Sequence, residues 1–480
     1  MKVDSIFKMI KDLYGNSSDL CTRIITTNSK NIGIIFLETT SSSKIISENI
    51  IKAISYIDSK TNMFSNIYKN LKNSIFNAQL KTTKNLDEIP YYLSSGFTII
   101  IVDEYDEIMV METRADLDRG VNEATNEPVL RGPKDSFTEN HSKNLGLIRK
   151  RIKNNNLWVD DVIIGKRTKT KVSIVYLKDI IKKEDVEKIK NKLKCVNIDG
   201  LLDSGALKAY LTDQKSSFPQ ILSTERPDLS CLSILNGKII ILVENSPYTL
   251  ILPNVITDFI HTSEDYFENS INISFTRILK SIALFITLFT PAIYIAITTF
   301  DQTVIPDKLL ISLAVQREGV PFPTAFEVLL LMMIFEILRE SDIRLPANMG
   351  ASMSIVGALV LGEAAVNAGI VSPIAVIVVA ITSICSLIFT DVDFINGIRT
   401  WRLIFMLAAT FLGLIGLVSA TFCFILKLSS LESLSISYLS PFSPFNFYDV
   451  KNSILKRRTD KKRPKYLNLN DYSKGGKYEK

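Results

Sequence analysis

The chain has 480 residues, 46% hydrophobic and 22% charged, with a formal net charge of +6. The averages hide two unlike halves. Residues 281–426 hold only 16 charged side chains in 146 positions and include three uncharged runs of 20 or more residues. A soluble single-domain enzyme is therefore excluded, and so is a disordered chain, which would be far less apolar. Residues 451–480 carry eight Lys and three Arg against two Asp and one Glu, a net of +8, so the other 450 residues sum to −2. The basic character belongs to the tail. It points to a juxtamembrane segment beside membrane lipid, and no nucleic-acid partner is expected.

The N-terminus, MKVDSIFKMIKDLYG, is amphipathic and lacks the apolar core and cleavage site of a signal peptide. Aliphatic runs predict strands at 32–37, 97–102 and 107–111, with helical spacing at 46–58 and 62–77 between them. A second pass predicts strands at 159–164, 172–177, 238–243 and 248–252, and helices at 183–194 and 200–212. Both passes close alike. Ser95-Gly96 leads into FTIIIVDEYDEIMVMET and Asn236-Gly237 into KIIILVENSPYTLILP, which reads as one hairpin duplicated in two α/β subdomains.

Between the passes lies Arg131-Gly132-Pro133, with Gly-Pro marking a break, followed by the predicted helix ENHSKNLGLIRKRIKNN. Ser136 or Thr138 is the expected cap, and Arg149, Lys150, Arg151 and Lys153 are expected to form a solvated basic face, with anion binding the lesser reading. No phosphate-loop, dinucleotide, zinc-protease or nucleophile-elbow motif occurs. The five cysteines show no CxxC spacing and there are two histidines, so no catalytic residue, metal site or cofactor is expected.

Residues 281–300 are uncharged and long enough to cross a core of roughly 30 Å, with Pro291 in mid-span. The 280 residues before them are expected to stay in the cytosol. Ser372-Pro373 splits the run at 364–390, predicting helices over about 352–371 and 374–390, and 403–426 is the last span. The 309–345 region is irregular: Pro321 and Pro323 interrupt it, and Glu327, Glu336, Arg339, Glu340 and Arg344 charge it. Glu336 has Arg339 and Glu340 within one turn, so local pairing is expected. Loop Lys and Arg favour cytosolic N- and C-termini, hence an even number of crossings. Four full spans plus a re-entrant or interfacial segment are expected.

Two strips mark the third span. Ser354, Ala358, Gly362, Ala365 and Gly369 form a small-residue face suited to close helix packing. Ser352, Val356, Leu359, Glu363 and Asn367 lie within about 80° of one another at 100° per residue. A carboxylate at that depth costs roughly 2.5–3.5 kcal/mol on insertion scales, so Glu363 should face a cavity, a partner or water. In a symmetric oligomer it would form a carboxylate ring that favours cations. A protonated Glu363 bonded to a neighbouring helix is the alternative.

Several strings carry a family resemblance. RGPKDSFTEN (131–140), ENSPYTLILPNVITDFIHTSEDYF (244–267), REGVPFPTAFEVLLLMMIFEILRE (317–340), RLPANMGASMSIVGALVLGEAAVNAGIVSP (344–373) and YLSPFSPF (438–445) resemble, in order, the A subunit of GerA-type spore germinant receptors. The resemblance implies a non-enzymatic subunit in the spore inner membrane, partnered by a transporter-like B subunit and a lipoprotein C subunit. It implies homo-oligomers that open a path for monovalent cations, with a non-conducting scaffold as the alternative. The motif of Arg131, Gly132, Pro133, Phe137 and Glu139 would relay the signal. The implied layout is two subdomains at 1–130 and 131–270, a helical transmembrane domain at 271–427 and a basic tail at 428–480. Two features depart from the family, which usually has Gln at the position of Glu363 and a proline-containing turn near 386–392.

Overall fold

The computed structural model describes residues 2–27, 30–60, 67–75, 80–115, 127–129, 131–212, 216–344, 362–434 and 436–455. The first sheet contains β1 (Leu20–Thr26), β2 (Asn31–Leu37), β3 (Leu80–Thr83), β4 (Phe97–Val102) and β5 (Ile108–Glu112), in the order β1-β2-β4-β5-β3. The second contains β6 (Leu157–Ile164), β7 (Thr170–Leu177), β8 (Leu222–Thr224), β9 (Ile239–Val243) and β10 (Thr249–Leu252), in the order β6-β7-β9-β10-β8. Every pairing in both sheets is antiparallel. The orders become identical when five is added to each number of the first. The repeated hairpins β4-β5 and β9-β10 are thus the centre of a repeated five-stranded topology.

Both faces of each sheet are covered, which is why β4 and β9 read as unbroken aliphatic runs. In the first sheet, Ile35, Leu37, Ile99 and Ile101 pack against α1 (Val3–Leu13) through Val3, Ile6, Phe7 and Ile10. Ile32, Ile34, Ile100 and Val102 face helical residues between 46 and 75. The second sheet repeats the plan, with α2 (His141–Arg151) and α3 (Pro227–Leu235) on one face and α4 (Lys183–Lys194) on the other. In α4 the sequence dictates the element directly. Val186, Ile189 and Leu193 share one face, Glu184 and Asp185 lie in the first turn, and Lys192 and Lys194 in the last, as the helix dipole favours.

The helical region begins with α5 (Ser270–Thr299), which continues as one helix past Pro291. Then come α6 (Asp307–Arg317), with no buried residue, α7 (Thr324–Arg344), α8 (Pro373–Ser386) and α9 (Val392–Ser429). Among the described residues, two helical segments, Ser270–Thr299 and Val392–Ser429, are long and apolar enough to cross a membrane. Helix α8 starts where the Ser-Pro pair predicts, its first turn capped by Ser372 accepting from the Ala375 N–H.

The expected span at 403–426 is broken. Gly413 has φ 59° and ψ −141°, outside helical space. Phe424 lies 4.9 Å from Trp401 and 5.6 Å from Phe405, ring centre to ring centre. A straight helix would separate residues 401 and 424 by about 35 Å. The 38-residue segment therefore doubles back at Gly413 into two arms. Asp301, just beyond the end of α5, accepts the Leu414 N–H at 3.0 Å and caps the returning arm. Both ends of α9 accordingly lie at the same end of the helical region, next to the second sheet.

Candidate functional site at the junction of sheet and helices

The two halves share one apolar core. It runs from Val175, Ile240, Leu242 and Ile251 of the second sheet through Phe218 and Phe259 to Phe394, Phe405 and Phe424 of α9. Phe259 stacks on Phe394 at 5.2 Å, Phe218 meets Phe394 at 5.8 Å and Phe424 at 5.7 Å, and Phe405 stacks on Phe289 of α5 at 4.9 Å. Tyr438, fully buried, closes the cluster from YLSPFSPF, and its carbonyl accepts the Ile256 N–H at 2.9 Å. Aromatic pairs of this kind add about 0.5–1.5 kcal/mol each beyond area burial. The second sheet and the foot of the helices are thus one packed body.

Polar groups fix the register of that body. Lys208 pairs with Asp393 at 2.5 Å, and the Trp401 indole N–H donates to Ser217 Oγ at 2.9 Å. A Cβ on Gly397 would lie 2.7 Å from the Ser217 carbonyl, so this turn of α9 touches backbone. Lys238 pairs with Asp258 at 2.7 Å and donates to Asn254 Oδ1 at 2.9 Å.

The segment between the sheets is strapped to the same body. Arg226, 1% exposed, is held by Asp228 at 2.8 Å and donates to the carbonyls of Glu127 and Pro133 at 3.1 and 2.6 Å. The Phe137 N–H donates to the Glu225 carbonyl at 2.7 Å and its ring is buried in the shared core. Gly132 has φ +123°, and a Cβ there would lie 2.8 Å from the Phe267 ring, next to the start of α5. Arg131 and the Glu139 side chain are exposed, while the Glu139 carbonyl accepts the Asn245 N–H at 3.2 Å. Burial raises the pKa of Glu127, whose carboxylate accepts from Thr224 Oγ1 at 2.5 Å, to about 7.

The expected solvated basic face holds for Lys150 and Lys153, which are exposed, and fails for Arg149 and Arg151. Arg149 is fully buried and donates to both oxygens of Asp19, at 2.9 and 2.8 Å, to Ser17 Oγ at 3.1 Å and to the Leu157 carbonyl at 2.9 Å. It therefore joins the second sheet's helix to the first sheet's entry. Burial works against the Asp19 carboxylate, but the Arg149 guanidinium and the Ser17 and Thr39 hydroxyls hold its pKa below the usual value. Arg151 pairs with Asp135 at 2.5 Å. The helix cap is Asn140, accepting from the Lys143 N–H, rather than Ser136 or Thr138.

The charged cluster of the helices also pairs differently from expectation. Glu336 accepts from Arg402 at 2.6 Å and from Arg399, both on α9, instead of pairing with its neighbours Arg339 and Glu340 on α7. Glu327 is fully buried and accepts the Ser372 N–H at the start of α8. Arg344 ends α7.

Of the third-span residues, Ser352, Ser354, Val356, Ala358 and Leu359 lie outside the described residues. Residues 362–367 are helical, and the chain turns at Gly369, φ +66°. Gly362 and Ala365 are half-buried, Ala365 against the shared core, whereas Glu363 and Asn367 are exposed on the single chain.

Sequence reasoning missed the His141–Ser173–Asp161 chain. Ser173 Oγ donates to Asp161 at 2.5 Å and lies 2.8 Å from His141 Nε2. The carboxylate sits on the serine rather than behind the imidazole, which is not the order that activates a hydroxyl nucleophile. Among the described residues there is no cluster of three or more His, Cys, Asp or Glu able to hold a metal ion.

Comparison with known proteins places these features in a family context. A family model described as Bacillus/Clostridium GerA spore germination protein matches residues 8–466. Spore germination protein KA of Bacillus subtilis (strain 168) is 34% identical over 469 residues, covering 96% of this chain and 86% of that protein. Spore germination protein GerLA of Bacillus cereus is 32% identical over 471 residues, covering 97% and 96%. The crystal structure of the N-terminal domain of the A subunit of the Bacillus megaterium spore germinant receptor GerK3 aligns over 51% of this chain and 92% of that one, at 27% identity and a TM-score of 0.40.

Proposed function

The chain belongs to the Bacillus/Clostridium GerA family of spore germination proteins, and from that premise we propose that it is the A subunit of a nutrient germinant receptor. It is not an enzyme in this reading. The sheets lie in the cytosol, the helices cross the spore inner membrane, and a transporter-like B subunit and a lipoprotein C subunit complete the complex. The observation that carries the reading is the shared aromatic core, because displacement of the second sheet must move the foot of α9. The segment from Glu127 to Glu139, bonded to Arg226 and seated on Phe267, links the first sheet to the same point.

The doubled α9 changes the expected four spans. Its arms over 392–412 and 414–429 would make two passes where one was expected, and return the chain to the side of the sheets. Helix α6 is the interfacial segment, and α8, with 14 residues, spans only about 21 Å of a roughly 30 Å core.

Monovalent cations pass between copies of the chain rather than through one, because Phe289, Trp401, Phe405 and Phe424 fill the centre of the single bundle. Exposed Glu363 and Asn367 would then face the shared path. The filled bundle also favours a second reading, a scaffold that relays the signal to a separate channel. Nutrient-triggered potassium release from spores separates the two. Deletion of the chain abolishes release in either case. Glu363→Gln changes its rate or ion selectivity at normal protein level only if the chain lines the path; wild-type behaviour would favour the scaffold.

A further inference from the structure

Three guanidiniums gather around one carboxylate where α7 meets α9. Arg399 and Arg402 both donate to Glu336, and Arg399 also donates to Asn396 Oδ1 at 3.0 Å. Arg402 is 4% exposed, so its charge has little access to water. Arg339, one turn beyond Glu336 on α7 and half-buried, lies near enough for its charge to oppose that of Arg402. Among the described residues it pairs with no carboxylate, since Glu336 is taken by the two arginines of α9. These four side chains therefore hold two positive charges in excess. Uncompensated charge is expensive among membrane helices, and the planar fork of a guanidinium matches the oxygens of a phosphate.

The cluster sits at the sheet end of the helices, because Trp401, between Arg399 and Arg402, is the residue bonded to Ser217. From that end an apolar stripe runs away from the sheets. Arg399, Leu403, Leu407 and Phe411 follow one another at intervals of four along the first arm of α9, and the last three are 47%, 40% and 74% exposed. Arg399 and Phe411 are about 18 Å apart along a helix, close to the roughly 15 Å of half a hydrocarbon core. A free phosphate ion would engage the arginines and leave the stripe bare. A charged head followed by an apolar stripe one leaflet long is the pattern of a phospholipid, and basic pockets between helices on the cytosolic side recognise such headgroups.

We propose that Arg339, Arg399 and Arg402 form a binding site for the phosphate of an anionic phospholipid, whose acyl chain lies along Leu403, Leu407 and Phe411. The proposal rests on the membrane reading above. The bound phosphate neutralises the excess charge and holds α7 against α9 beside Trp401, at the foot that the helices share with the second sheet. The site is a built cleft between two helices, so it selects by charge and by position.

The test is native mass spectrometry of the full chain released from mixed micelles that hold equal amounts of phosphatidylglycerol and phosphatidylcholine. The proposal predicts that the wild-type chain retains phosphatidylglycerol over phosphatidylcholine by about threefold or more. Arg339→Gln, which leaves both Glu336 contacts in place, should lower the retained phosphatidylglycerol about threefold with an unchanged circular dichroism spectrum, and Arg339→Lys should recover most of it. Equal retention of the two lipids by the wild-type chain overturns the proposal even if no variant folds. Retention that Arg339→Gln leaves untouched overturns it as well, because the lipid then sits elsewhere on the chain. Inorganic phosphate raising the thermal midpoint as much as dioctanoyl-phosphatidylglycerol does would assign the arginines to a free ion and refute the lipid. A chain that stays soluble without detergent and retains neither lipid would overturn the membrane reading, and the proposal with it.

Discussion

Replacing Asp19 with Ala removes the carboxylate that, among the described residues, pairs with the fully buried Arg149 guanidinium. Arg149 and Asp19 are 0% and 3% exposed, and among the described residues two of the four hydrogen bonds made by the Arg149 side chain go to Asp19. Breaking a buried pair from one side costs about 3–5 kcal/mol, because the remaining charge is uncompensated. Replacing both partners, Asp19→Leu with Arg149→Met, removes that penalty and is expected to recover at least half of the loss. Trp158 is a local reporter, since its ring packs where a Cβ on Gly15 would stand, 2.0 Å away. Urea unfolding followed by Trp158 fluorescence in a Trp401→Phe background measures both variants. The sign with pH is fixed. The Asp19 pKa is lowered in the folded state, so its stabilisation is present above the unfolded value near 4 and is lost as pH falls through the lower folded value. A loss below about 1 kcal/mol for Asp19→Ala would refute the argument that this pair holds the two sheets together.

Gly132→Ala is expected to cost about 1–3 kcal/mol in thermal unfolding, because its φ of +123° strains any side chain. Adding Phe267→Ala should relieve the contact but not the backbone part. Glu336→Gln leaves Arg399 and Arg402 without their carboxylate and should cost about 2–4 kcal/mol, read as a lower midpoint in detergent-solubilised protein. Glu127, with its pKa raised to about 7, stabilises the fold below its unfolded value near 4.3, and this contribution is lost as pH rises through 7. The midpoint should therefore fall between pH 5 and 8, and Glu127→Gln should flatten that part of the profile.

What could be read beforehand was local. The 183–194 helix carries its periodicity and its end charges within twelve residues, and the observed element has those bounds. β4, FTIIIV, and β9, IIILV, are short runs of fully buried, mostly β-branched residues of strand length. Edge strand β1, LCTRIIT, has Arg23 in mid-strand and only partial burial, so it lacks a pattern. Helix α3, PDLSCLSIL, is buried on nearly all sides and therefore has no polar stripe to set a period. The failures at the site share one cause. Arg149 looks like a surface cation until Asp19, 130 positions away, is brought to it. Glu336 has plausible partners within one turn, yet the fold offers Arg402 at a separation of 66. Gly413 is one small residue in an uncharged run, and its non-helical backbone and the contacts of Phe424 with Trp401 and Phe405 reveal the reversal.

The central claim is that the second sheet drives the helices through their common foot, and the Lys208–Asp393 pair tests it most directly. Lys208 is 10% exposed and Asp393 54% exposed at 2.5 Å, so charge reversal is felt at the junction while one partner stays open to solvent. Spores carrying Lys208→Asp, Asp393→Lys or both would be assayed for nutrient-triggered potassium release, with protein level measured in each. The account predicts that each single reversal slows release at normal protein level and that the double reversal restores most of the rate. Wild-type release from both single variants would contradict it.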